Sequence, residues 1–150
     1  MADARQIAVP VQLLHRDAVV PAYAKHGDAG ADLASVAELT LAPGERHLVP
    51  TGVAMAIPHG WVGLVHPRSG LAARHGISVV NAPGTVDSGY RGEILVNLVN
   101  LDPTSSFTVS PGDRIAQLVI VPVVQAQFRV VTEFGASERG TGGFGSTGAH

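Results

Sequence analysis

Asp87 stands inside the run Asn81-Ala-Pro-Gly-Thr-Val-Asp-Ser-Gly-Tyr-Arg-Gly-Glu93, where Ala82-Pro83-Gly84 bends the chain and Ser88-Gly89 suits a tight hairpin turn. A carboxylate beside such a turn has two readings. It caps its own turn, or it polarises a positioned water as a general base. A second segment, Pro67-Arg68-Ser69-Gly70, directly follows the apolar run of residues 61–66. A strand that ends at a helix start brings free N–H groups, a hydroxyl and a guanidinium to one spot, which suits a phosphate; the plainer reading is an N-cap beside a solvated arginine.

The tail, Arg139-Gly-Thr-Gly-Gly-Phe-Gly-Ser-Thr-Gly148, offers a third anion-binding possibility. Consecutive glycines let the backbone turn its N–H groups inward, Ser146 and Thr147 add hydroxyls, and Arg139 adds a fork of charge. It is no Walker A loop, since no lysine exists beyond Lys25. Glycine-rich termini are commonly mobile. Phe144 argues for more than that, because a lid that stacks on a base uses an aromatic ring and a solvated tail does not.

Two further segments complete the set. In Gly112-Asp-Arg-Ile-Ala-Gln-Leu-Val-Ile120, alternation puts Gln117 on one face with Ile115 and Val119. An amide among aliphatics must find partners or cost about 1–3 kcal/mol, so Gln117 pairs across an interface or faces a ligand. In Asp28-Ala-Gly-Ala-Asp32-Leu, the two carboxylates match no complete metal-binding loop.

The elements that must carry these groups are strands. Residues 7–14, 46–57, 61–66, 77–81, 93–101, 113–121 and 125–131 are short runs rich in Val, Leu and Ile, separated by turns such as Pro43-Gly44, Pro58-His59-Gly60 and Pro111-Gly112. Even spacing with Gly/Pro turns predicts an all-β antiparallel sandwich or barrel. One short helix fits, over residues 69–75, with Ser69 as N-cap and Gly76 as the stop. The run of residues 93–101 is apolar on both alternating faces, which predicts a strand buried on both sides, in a subunit interface. Residues 1–132 read as one domain and residues 133–150 as a glycine-rich arm.

Composition narrows the function. With 45% hydrophobic and 15% charged residues the chain is globular, and its net charge of −2 gives no broad grip on a nucleic-acid backbone. The absence of cysteine removes disulfides, thiolate metal sites and cysteine nucleophiles. No stretch reaches the roughly 20 apolar residues of a membrane span, so no membrane is expected and the expected location is the cytoplasm.

Taken in order, Asp28-Ala-Gly-Ala-Asp32-Leu, Pro67-Arg-Ser-Gly70-Leu-Ala, Gly84-Thr-Val-Asp87-Ser-Gly-Tyr90-Arg-Gly-Glu, Gly112-Asp-Arg-Ile-Ala-Gln117 and Arg139-Gly-x-Gly-Gly-Phe144-Gly-Ser-Thr147-Gly resemble the five motifs of the trimeric dUTPases. The resemblance implies a distorted β-barrel or jelly roll, assembled as a homotrimer whose sites are shared between subunits. It implies hydrolysis of dUTP to dUMP and pyrophosphate, which limits uracil in DNA and supplies dUMP.

By motif, Asp87 becomes the base that activates water against the α-phosphorus, and Tyr90 packs under the deoxyribose. Asn81 would read the uracil edge with backbone near Thr85, Val86 and Leu95. Arg68, Ser69, Gly70 and Gln117 would hold phosphates, and Arg139, Ser146 and Thr147 the terminal one, with Phe144 stacked on uracil. Mg2+ would ride on the triphosphate, reached by Asp32 through a metal-bound water. Two other readings stay open: a dCTP deaminase of the same fold, which needs a catalytic glutamate, and a non-catalytic jelly-roll scaffold.

Overall fold

The computed structural model describes residues 6–143. Valine- and leucine-rich runs between turns become β1 (Val11–Leu13), β2 (Ala31–Ala34), β3 (Leu39–Leu41), β4 (Arg46–Met55) and β5 (Trp61–His66). After α1 (Ser69–His75) follow β6 (Ile77–Val79), β7 (Gly84–Val86), β8 (Glu93–Asn100), β9 (Phe107–Val109) and β10 (Arg114–Pro122). They form two four-stranded sheets, ordered β1-β4-β8-β6 and β2-β10-β5-β7, with β3-β9 as a separate pair. Every pairing is antiparallel. This is the all-β antiparallel architecture that the strand spacing predicts, and it agrees with the jelly roll that the resemblance implies.

The sheets share one apolar core. Val49, Val53, Val96 and Leu98 from the first meet Leu33, Val65, Ile115 and Leu118 from the second in one cluster. Each such side chain contributes about 1.5–3 kcal/mol by leaving water. One buried polar group ties the edges: the Nδ2 of Asn100, fully buried, donates to the carbonyls of Leu41 at 3.0 Å and Ser105 at 2.8 Å. Its Oδ1 accepts from the N–H of Asp102 at 2.9 Å.

The helix has the predicted bounds, but its N-cap is Arg68, without a side-chain capping bond, and Ser69 is already helical. Gly76 ends it in the left-handed region at φ 65°, donating to the carbonyl of Ala72.

Two strand expectations need correction. Residues 125–131 form no strand; with no strand partner among the described residues they run exposed, Phe128 at 94% and Val130 at 103%. Gln117 does not share a face with Ile115, because a bulge between Arg114 and Ala116 shifts the register and turns Ala116 and Leu118 into the core. Within the single chain, β8 buries Ile94, Val96 and Leu98 on its inner face, while Leu95 on the outer face, the one a subunit interface would cover, is 45% exposed. Strands β2, β3, β7 and β9 have three or four residues each, too few for a period to be read from the sequence.

Candidate active site

The Asp87 segment is not a paired hairpin. β7 pairs with β5 in one sheet and β8 with β4 and β6 in the other, so the turn of residues 87–90 crosses between sheets. Val86, buried opposite Gly63, anchors the near end. The N–H of Tyr90 closes the turn on the carbonyl of Asp87 at 3.0 Å. Nη1 of Arg91 donates to the carbonyls of Ser88 and Tyr90, both at 2.7 Å. At the far end, Oε1 of Glu93 accepts from the N–H of Gly52 at 2.7 Å, which fixes the start of β8 to β4.

This turn walls a cavity of about 200 Å3 whose lining includes Asn81, Thr85, Val86, Asp87, Tyr90 and Leu95. The structure thus brings together six of the residues expected around the nucleoside and its α-phosphorus; Phe144, also expected there, lies outside the described residues. The Asp87 carboxylate is exposed at its rim. On the other side of the same turn, Thr85 and Asp87 also border a hollow with Trp61 and Val124.

Asp32, Arg68, Ser69, Gly70 and Gln117 meet in a second cavity, of about 290 Å3. Strand order explains why. β10 lies between β2 and β5, so Gln117 is in register with Asp32 on one side and His66 on the other, and Arg68 follows two residues after His66. Nε2 of Gln117 donates to the carbonyl of Pro67 at 3.0 Å, bracing the strand end that carries Arg68. A side chain on Gly30 would collide with the Gln117 amide oxygen, so glycine there leaves room for that brace. Asp28 closes the rim: its Oδ2 accepts from the N–H of Lys25 at 2.8 Å, and its own N–H donates to the Lys25 carbonyl at 3.2 Å.

Both oxygens of Asp32 face cations. Oδ1 accepts from Nε of Arg68 and Oδ2 from Nη1 of Arg114, each at 3.1 Å. Each oxygen keeps a further lone pair. No three carboxylate or imidazole groups gather around one point among the described residues. A lone carboxylate such as Asp32 is a donor that magnesium, which keeps several of its own waters, commonly uses.

No residue lines both cavities. Arg139 stands apart from each, with its Nε donating to the carbonyl of Gly142 at 3.0 Å. Phe144, Ser146 and Thr147 lie outside the described residues. Sequence reasoning gave no role to Arg91, Glu93 or Arg114. Each acts on the backbone or on another side chain, and only the strand register and the crossing turn reveal those partners.

The chain matches the family model described as dUTPase over residues 16–148. It is 57% identical over 144 residues to the deoxyuridine 5'-triphosphate nucleotidohydrolase of Thermobifida fusca, covering 96% of this chain and 80% of that one. With the enzyme of the same name from Cutibacterium acnes the identity is 61% over 129 residues, covering 86% and 85%. Among solved structures, the Staphylococcus bacteriophage 80alpha dUTPase with dUPNHPP superposes with a TM-score of 0.89 at 32% identity, covering 95% of this chain and 99% of that one. A mutant dUTPase of phage phi11 of S. aureus, described as revealing the coordination of a structural Mg(II) ion, gives 0.81 at 29% identity, covering 87% and 100%.

Proposed function

The chain belongs to the dUTPase family, and from that premise we propose that Asp87 is its catalytic base, acting in a site shared between three copies of the chain. The reaction is hydrolysis of dUTP to dUMP and pyrophosphate. The observation that carries the assignment is the gathering of Asn81, Thr85, Val86, Asp87, Tyr90 and Leu95 around one cavity.

Asp87 takes a proton from a water as that water attacks the α-phosphorus, and the bond from that phosphorus to the bridging oxygen of the departing pyrophosphate breaks. Asn81 offers an amide that can pair with the uracil edge, with backbone groups beside Thr85, Val86 and Leu95 completing the recognition. Tyr90 sits under the deoxyribose and leaves no room for a 2′-hydroxyl. Arg68, Ser69, Gly70 and Gln117 bind phosphate oxygens in the second cavity.

Residues 133–150 act as an arm over a neighbouring site, beyond the domain of residues 1–132. Arg139, Ser146 and Thr147 hold the terminal phosphate, and Phe144 stacks on the base. The separation of the two cavities on one chain, with no shared lining residue, supports a site completed by other copies. So does the exposed apolar run containing Phe128 and Val130. Magnesium on the triphosphate would neutralise charge as the pyrophosphate leaves, with Asp32 touching one of its waters. Among the described residues no helix is long and apolar enough to cross a membrane.

Incubation with each deoxynucleoside triphosphate and Mg2+, followed by measurement of pyrophosphate, tests this reading. Selective release from dUTP supports it; equal release from all four, or ammonia from dCTP, overturns it. Glu93 lines the same cavity as Asp87, so ammonia release from dCTP is the outcome that would point to a deaminase.

A further inference from the structure

We infer that Arg114 is a positioning residue for phosphate binding, and that it acts through Asp32 to set the guanidinium of Arg68. This rests on the reading of Arg68 as a phosphate-binding residue. Three bonds form a closed ring: Arg68 Nε to Asp32 Oδ1 and Arg114 Nη1 to Asp32 Oδ2, both at 3.1 Å, and Arg68 Nη1 to the Arg114 carbonyl at 3.2 Å. The Asp32 and Arg68 side chains are 18% and 27% exposed, so their attraction is only partly screened.

Arg114 does not line the phosphate cavity. It borders a separate hollow on the other side of Arg68, with His75 and Phe107. Its side chain, 55% exposed, therefore reaches the substrate only through what it holds.

The donor count shows what that hold does. A guanidinium has five N–H groups. Arg68 commits one to Asp32 and one to the Arg114 carbonyl, leaving three for an anion. A free carboxylate prefers to grip a guanidinium through both oxygens. Arg114 occupies Oδ2 and so keeps Asp32 on Arg68 through a single oxygen. Without Arg114, Asp32 can turn its second oxygen onto Arg68 and compete with the phosphate for the remaining donors.

A double-mutant cycle on the full-length enzyme tests the link, with kcat and KM for dUTP and the Kd of a non-hydrolysable dUTP analogue as readouts. Arg114→Ala is expected to raise KM and Kd about tenfold, a coupling within the usual range for residues in one hydrogen-bonded network, and to leave kcat within about twofold. Arg114→Lys, which keeps a cation for Asp32, should restore most of the affinity. In an Arg68→Ala background, Arg114→Ala should add nothing.

Unchanged KM in Arg114→Ala, or an equal loss in both backgrounds, overturns the inference while a weakened Arg68→Ala still upholds Arg68 as a phosphate ligand. Wild-type affinity in Arg68→Ala removes both. Thermal melting accompanies each variant, and Arg114→Gln carries the cycle if the alanine variant does not fold.

Discussion

The hydroxyl of Tyr90 donates to the main-chain carbonyl of Glu93 at 2.9 Å, and its ring lies so close over Gly92 that a β-carbon there would stand 2.7 Å from Cζ. The ring is thus held from two sides, by a bond at its tip and by the missing side chain beneath it. A sugar packed on that ring meets a surface of fixed position.

Gly92→Ala should lift the ring and loosen the choice of sugar. The expected outcome is a fall of about tenfold in the ratio of kcat/KM for dUTP over UTP, the scale on which one methyl group alters a fitted pocket. Tyr90→Phe, which loses only the tip bond, should change that ratio less. Steady-state kinetics on both nucleotides check the order.

Asp87→Asn keeps the shape of the side chain and removes the base. Turnover of dUTP should fall by about 10²–10⁴-fold, the usual worth of general-base catalysis. Calorimetric titration with a non-hydrolysable analogue should still find binding near the wild-type value. Near-normal turnover would take Asp87 out of its role.

Deletion of residues 139–150 should leave a folded protein with badly impaired hydrolysis, since the buried core of the described residues runs from Ala18 to Leu118. Circular dichroism and pyrophosphate release, measured on one preparation, separate folding from function. Unchanged kinetics would refute the arm as a lid.

Asn100→Leu would strand the carbonyls of Leu41 and Ser105 and the N–H of Asp102. Each buried group left without a partner costs about 1–3 kcal/mol, and water at the loop side recovers part of it. A loss of about 2–4 kcal/mol by urea unfolding is expected, a size seen when a buried polar network is broken.

Asp102 contributes one acid-dependent part of the stability. N–H groups of Thr104 and Ser105 bond its carboxylate and hold its pKa below the ordinary 3.8. A depressed folded-state pKa means stability that is present above 3.8 and lost as the pH falls through the folded value. Wild-type Tm should therefore drop through this acid window by more than that of Asp102→Asn, which cannot titrate. Parallel curves from pH 5 to 2, an interval set to span that loss, would exclude the contribution.

The all-β fold and the helix of residues 69–75 were legible in the sequence because alternating apolar runs and Gly76 are local signals. So were the residues of each cavity, through the motifs that carry them. What stayed hidden depends on pairing. The Arg114 bulge turns Gln117 off the face that simple alternation gives it, and no local pattern announces a bulge. The Asp32–Arg114 bond spans 82 positions in the chain and exists because β2 lies beside β10. Residues 125–131 have the composition of a strand, but a strand also needs a neighbour, and composition does not supply one.

Lys25, whose N–H and carbonyl both bond Asp28 at the rim of the phosphate cavity, is the one lysine among 150 residues. An amine-reactive dye then has a single side-chain target, and that target sits beside the place where a triphosphate would bring its charge. A fluorophore attached there would turn nucleotide arrival into an optical signal, with no engineered cysteine and no change to any residue that touches substrate.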